Sequence, residues 1–109
     1  MTGAPSQPRV VTWRGLEVRD EAEYARYRAA MAPILASYGG RFDHDFAIAR
    51  VHASRASDGI NRVFAISFPD AEQRARFYAD PAYVRVRAAH YEQAVAAAHL
   101  LAQGPEPAR

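Results

Sequence analysis

The sequence predicts an α+β domain of order β-α-β-β-α-β, a ferredoxin-like protomer whose second helix is split in two. Three observations carry this. Tyr38-Gly39-Gly40-Arg41-Phe42 stops a helix with two glycines and opens a strand with an arginine. Phe77-Tyr78-Ala79-Asp80-Pro81-Ala82-Tyr83 ends one helix and restarts another, because Asp80 suits an N-cap and Pro81 fits a first turn, where a missing N–H costs little. Around these breaks the apolar residues recur with period 2 or 3.6 in the order such a fold needs.

Residues 1–9 hold Gly3, Pro5 and Pro8 and are expected to form a loose arm, with 104–109 a frayed tail. That leaves 10–103 as one domain. The first strand spans Val10 to Val18. It places Val10, Thr12, Arg14, Leu16 and Val18 on one face and Val11, Trp13, Gly15 and Glu17 on the other. The first helix runs from about Glu21 to Tyr38. Asp20 caps it, Glu23 completes a capping box, and Tyr24, Tyr27, Met31, Ile34, Leu35 and Tyr38 form its apolar stripe. Pro33 lies inside that stripe and is expected to kink it.

The second strand opens at Arg41 and is expected to reach Ser54. Phe42, His44, Phe46 and Ile48 point one way; Asp43, Asp45, Ala47, Ala49 and Val51 point the other. Ser57-Asp58-Gly59 supplies a turn. The third strand is Arg62 to Phe68, with Phe64, Ile66 and Phe68 on one side. Asp70 caps the next helix, which ends near Asp80, and the restarted helix runs from Pro81 to about Val95. Ala96 to Gln103 reads either as a fourth strand or as more helix, since its alanines favour the latter.

Composition narrows the chemistry. With 50% hydrophobic residues among 109, the chain supports one core. It has no apolar run long enough to span a membrane and no secretory signal, so no membrane partner and a cytoplasmic location are expected. All 14 basic residues are arginine, net charge is only +2, and no basic block appears, so no nucleic-acid partner is expected. The absence of cysteine and lysine removes thiolate catalysis, cysteine-ligated metals, Schiff bases and the phosphate-loop lysine. No cofactor and no metal are expected. His44 and His52 are eight residues apart, beyond shared coordination on a strand, and no local spacing supports a His44/His99 pair.

Helices on one sheet face leave the other face apolar and in need of cover. Two such sheets placed face to face would close a dimeric α+β barrel, so a homodimer is expected.

Asp20-x-x-x-Tyr24-x-x-Tyr27-Arg28, Tyr38-Gly39-Gly40-Arg41-Phe42, Phe68-Pro69 and Phe77-Tyr78-x-Asp80-Pro81-x-Tyr83 together resemble the DUF1330 family of the dimeric α+β barrel superfamily. The resemblance covers roughly residues 10–103. It implies a ferredoxin-like homodimer with a cleft between sheet and helices. Superfamily relatives include cofactor-independent quinone-forming monooxygenases, muconolactone isomerases, chlorite dismutases and dye-decolourising peroxidases, so fold alone fixes no activity. The chain departs from the family pattern at Asp45-Phe46-Ala47-Ile48-Ala49 and at Ser54-Arg55-Ala56-Ser57-Asp58-Gly59. Family members commonly carry an Arg-Gly-Gly-like turn and a tryptophan-bearing acidic segment there, so the cleft floor is expected to differ.

Two residues are candidates for catalysis. Arg41 either clamps a carboxylate or enolate or serves a structural ion pair. His44 is either a general base or a hydrogen-bonded core histidine. On a regular strand Asp43 and Asp45 face away from it, and a bulge would be needed to bring them together. Trp13, Tyr24, Tyr27 and Phe46 are candidate walls for a small-molecule ligand or core residues. Tyr83, Arg87 and His90 share a helical ridge at i, i+4 and i+7 and line either a cleft or solvent. Two readings stay open: a cofactor-independent isomerase, cyclase or monooxygenase acting on an organic acid, enol or aromatic compound, and a non-catalytic dimeric binding or structural module.

Overall fold

Residues 8–107, which the computed structural model describes, run in the expected order. β1 (Val10–Val18), α1 (Glu21–Ser37) and β2 (Arg41–Ala47) are followed by β3 (Arg62–Phe68), α2 (Ala71–Ala79) and α3 (Pro81–Val86). A π-helical turn (Arg87–Tyr91), α4 (Glu92–Ala94) and β4 (Val95–Pro105) complete the chain. The strands form one antiparallel sheet in the order β2-β3-β1-β4, with the helices on one face. This is the ferredoxin-like α+β fold.

Strand alternation sets the two faces. Leu16 and Val18 of β1 and Phe64, Ile66 and Phe68 of β3 point to the helices and build the core with Tyr24, Tyr27, Met31 and Leu35 of α1. Phe77 and Tyr83 close it from α2 and α3, with ring centroids 4.2 Å apart. Burying each such side chain contributes about 1.5–3 kcal/mol.

The two sequence breaks do the work expected of them. Gly39 adopts φ of 71°, a left-handed conformation that glycine takes without steric cost, and its N–H bonds the Ala36 carbonyl at 2.9 Å. A Cβ at Gly40 would collide with Leu35 and Phe68, so the turn packs against the core without room for a side chain. Asp80 caps α3 by accepting from the N–H groups of Ala82 and Tyr83 at 2.7 and 3.3 Å. The Tyr38 hydroxyl donates to its other oxygen at 2.6 Å, tying the end of α1 to the α2–α3 corner.

Several boundaries differ from the sequence reading. β2 stops at Ala47 instead of reaching Ser54, because β3 offers only seven residues to pair with. The Ile48 N–H bonds the Asn61 carbonyl at 2.8 Å, and residues 49–60 form a loop that seats Ile60 over Gly15. Ala96–Gln103 is strand, and it belongs to a longer β4 whose pairing with β1 overrides alanine's helical preference. That strand includes Gly104 and Pro105, assigned above to the tail. Arg9, assigned to the arm, is tied down: its guanidinium donates to the Ser67 hydroxyl and carbonyl and to the Gly39 carbonyl at 2.7–3.0 Å. The rest of the arm, residues 1–7, and residues 108–109 lie outside the described residues. α1 runs through Pro33 as one helix to Ser37. Its capping box is half-formed. Asp20 accepts from the Glu23 N–H at 3.0 Å, while the Glu23 carboxylate turns to Arg26 and His90.

Candidate functional site

A cleft of about 110 Å³ opens between the helical layer and the sheet. Arg14 and Ala98 form its floor from β1 and β4, and Tyr78, Tyr83, Arg87 and Tyr91 form its walls. Arg14 reaches it because even-numbered β1 residues face the helices, and it is the charged member of that otherwise apolar or hydroxyl-bearing face. The π turn supplies the opposite wall. Its extra residue per turn, seen in the Glu92 N–H bonding the Arg87 carbonyl, changes which side chains line up. Arg87 and Tyr91 stay together, the guanidinium carbon 5.0 Å from the ring centroid. His90 swings to α1, where its Nδ1 lies 2.9 Å from a Glu23 oxygen.

The cleft is rich in donors. Arg14 and Arg87 bring two guanidiniums, and among the described residues neither has a carboxylate within salt-bridge distance. Burial pushes the hydroxyls of Tyr78, Tyr83 and Tyr91 up from their ordinary value. Arg14 opposes the shift at Tyr78, and Arg87 opposes it at Tyr91. At Tyr83 the Tyr27 hydroxyl, 2.8 Å away, opposes it first. All three remain neutral phenols near neutral pH and keep a proton to donate.

The candidate residues divide between the two sheet faces. Tyr27, Tyr83 and Arg87 lie at or behind the cleft. Tyr24 is buried beside them, and its hydroxyl accepts from Arg28 at 2.9 Å. Trp13, Arg41, His44 and Phe46 lie on the opposite, helix-free face. His44 stacks between Trp13 and Phe46 with ring centroids 5.3 and 5.7 Å away. Arg41 pairs with Asp43 at 2.8 Å and is largely exposed.

A bulge at Asp43 explains this arrangement. It interrupts the register between Phe42 and His44, so Phe42 faces the helices while His44 and Phe46 do not. Phe42 therefore does not share a face with His44, contrary to the alternation read from sequence. Asp45 turns to the helix side and bonds Arg28 and Arg62 at 2.8–2.9 Å. The Arg62 hydrogen bond is the main cause holding its carboxyl below the usual value. Asp45 stays on the face opposite His44 by the ordinary alternation of neighbouring residues, so the bulge does not join the two.

His52 falls in the loop after β2, and His99 pairs with Glu17 at 2.7 Å. Among the described residues no group of three His, Asp or Glu side chains is placed to hold a metal, and no helix is long and apolar enough to cross a membrane.

Arg14, Tyr78 and Tyr91 complete the cleft and were not singled out from sequence. Arg14 carried a signal, as a cation in the middle of a core-facing strand pattern. Tyr91 stands four residues after Arg87, but its alignment with the cleft depends on the π turn.

Solved structures share this fold at low identity. The RPA0582 protein of unknown function from Rhodopseudomonas palustris superposes with a TM-score of 0.78 at 15% identity, over 94% of this chain and 85% of that one. A dabb family protein with a ferredoxin-like fold from Mesorhizobium loti gives 0.66 at 13% identity, over 94% and 100%. SnoaB, a cofactor-independent oxygenase from Streptomyces nogalater, gives 0.57 at 20% identity, over 94% of each chain. No functionally curated protein matches the chain. Residues 14–104, which hold the corner motifs and every wall of the cleft, match the family described as Domain of unknown function (DUF1330). The chain belongs to that family.

Proposed function

We propose that this protein binds a small organic anion, a carboxylate or enolate, in the helix–sheet cleft and acts on it as a cofactor-independent enzyme of the isomerase, cyclase or monooxygenase type. The observation that carries this is the pair of guanidiniums, Arg14 and Arg87, converging with three phenols on a cleft that no carboxylate lines among the described residues. Such a donor-rich site favours an acceptor ligand, and in a partly dry cleft it stabilises negative charge that develops on an oxygen. On this reading Arg14 takes the anion-holding role considered for Arg41. The cleft is smaller than the roughly 150 Å³ cavity that holds benzene, so the charged end of a ligand enters and an aromatic body stays at the mouth. SnoaB, a cofactor-independent oxygenase, shares the fold, which supports this reading.

Titration of the ¹⁵N-labelled protein with benzoate tests the reading. Saturable amide shifts are expected around Arg14, Tyr83 and Arg87. Arg14→Gln and Arg87→Gln are each expected to weaken binding by roughly tenfold, the worth of one charge-assisted hydrogen bond. Equal affinity in wild type and both variants would refute the site.

We also infer that two copies pair through the helix-free sheet face, making a homodimer. Phe46 and Leu101 on that face are 47% and 41% exposed, beside the Trp13–His44–Phe46 stack. A two-fold axis sets this patch against its own copy and covers it. On this inference Arg41 and His44 belong to the contact between copies and not to the cleft.

A further inference from the structure

Given the cleft as an anion site, the Tyr27–Tyr83 pair says which anions it favours. The two hydroxyls are 2.8 Å apart, and both side chains are buried. Only one can donate across that gap. Tyr27 has no other hydrogen-bond partner among the described residues and does not line the cleft. A Tyr27 proton turned away from Tyr83 would be buried without an acceptor, which the interior penalises. Tyr83 does line the cleft, so its proton can be directed there instead. The favoured arrangement therefore has Tyr27 donating to the Tyr83 oxygen and Tyr83 donating into the cleft. The Tyr83 ring is fixed for this by Phe77, 4.2 Å away centroid to centroid, and its N–H is held by Asp80.

We propose that Tyr83 is the specificity-determining donor of the cleft, hydrogen-bonding the most basic oxygen of the bound anion, with Tyr27 as the residue that positions its proton. Donation from Tyr27 polarises the Tyr83 O–H and strengthens it as a donor. A bond from a neutral phenol gains most when the acceptor is a basic oxyanion. Arg14 and Arg87 attract any anion by charge, whereas Tyr83 discriminates. The ligand class is thus enolates and phenolates ahead of weakly basic carboxylates of equal size.

Ring-fluorinated phenolates of graded basicity, titrated at a pH where all are ionised and followed by ¹⁹F and ¹⁵N NMR, test this. In the wild-type protein affinity is expected to rise with phenolate basicity. Tyr83→Phe is expected to flatten that dependence and to weaken the most basic phenolate by roughly tenfold. Tyr27→Phe is expected to reduce the slope by a smaller amount. Arg14→Gln is expected to lower all affinities together. An unchanged slope in Tyr83→Phe, alongside weakened binding in Arg14→Gln, overturns the role of Tyr83 and leaves the anion site standing. A wild-type protein that binds neither benzoate nor any phenolate overturns both. Should Tyr83→Phe fail to fold, 3-fluorotyrosine at position 83 serves instead. As a stronger acid it is expected to bind the same phenolates more tightly, and unchanged binding refutes the proposal.

Discussion

Asp80 shows how much one side chain can organise. One carboxylate oxygen caps α3 and the other holds the Tyr38 hydroxyl, so a single residue joins the end of α1 to the corner between α2 and α3. The Tyr38 hydrogen bond is the main cause that lowers its carboxyl from the ordinary 3.8, with the two backbone N–H groups adding to it. Because the folded value is depressed, the unfolded chain takes up the proton first as pH falls. Asp80 therefore contributes stability that is complete above pH 3.8 and is lost as pH drops through the lowered value. Asp80→Asn is expected to lower the urea midpoint at pH 7 and to flatten the acid limb of stability against pH. Equal acid limbs in wild type and variant would count against this account. The sequence made Asp80 legible, since an N-cap followed by proline is a local signal. Its bond to Tyr38 was not legible, because the two residues are 42 positions apart.

Elements differ in how far local sequence fixes them. The α1–β2 corner is fixed locally. Gly39 stands at φ of 71°, and a Cβ there would meet Pro69 at 2.7 Å. Gly39→Ala is expected to cost roughly 1–2 kcal/mol in chemical denaturation. Gly104→Ala, with nothing within 4 Å of the new methyl group, is expected to fall within about 0.5 kcal/mol of wild type. Comparable losses from both would undermine the conformational argument. β4 is the opposite case. Its alanines permit helix, and only hydrogen bonding to β1 selects the strand. The two irregularities that arrange the candidate residues lie between these extremes. Neither the Asp43 bulge nor the π turn has a distinctive composition, because each inserts a residue wherever the packing on either side demands it. The sequence reading therefore found His44, Phe46, Arg87 and His90 as chemically capable side chains but could not sort them by face.

At the scale of the molecule, one helical layer on one sheet leaves an uncovered surface. The slab is 17 Å in its thinnest direction, enough for two layers and no third. Trp13, His44, Phe46 and Leu101 lie on the bare face, a composition that favours contact with a second copy over solvent. Phe46→Asp is expected to convert a dimer into a 12.1 kDa monomer in sedimentation equilibrium, because the new carboxylate would be desolvated against its own symmetry mate. The cleft lies on the far side of the sheet, so benzoate binding is expected to survive in that variant. A wild-type protein that sediments as a monomer at micromolar concentration would remove the pairing and leave the cleft untouched.

By itself the sequence determined the order of elements, the corners at Gly39 and Asp80, the stripe of α1 and the alternation of β1. These depend on caps, turn residues and periodicity, which act within a few residues along the chain. Only the tertiary structure decided the end of β2, the face on which His44 lies, the nature of β4 and the meeting of Arg14 with Tyr78, Arg87 and Tyr91. Those features arise from hydrogen bonds and packing between residues far apart in sequence, whose energies no local pattern encodes.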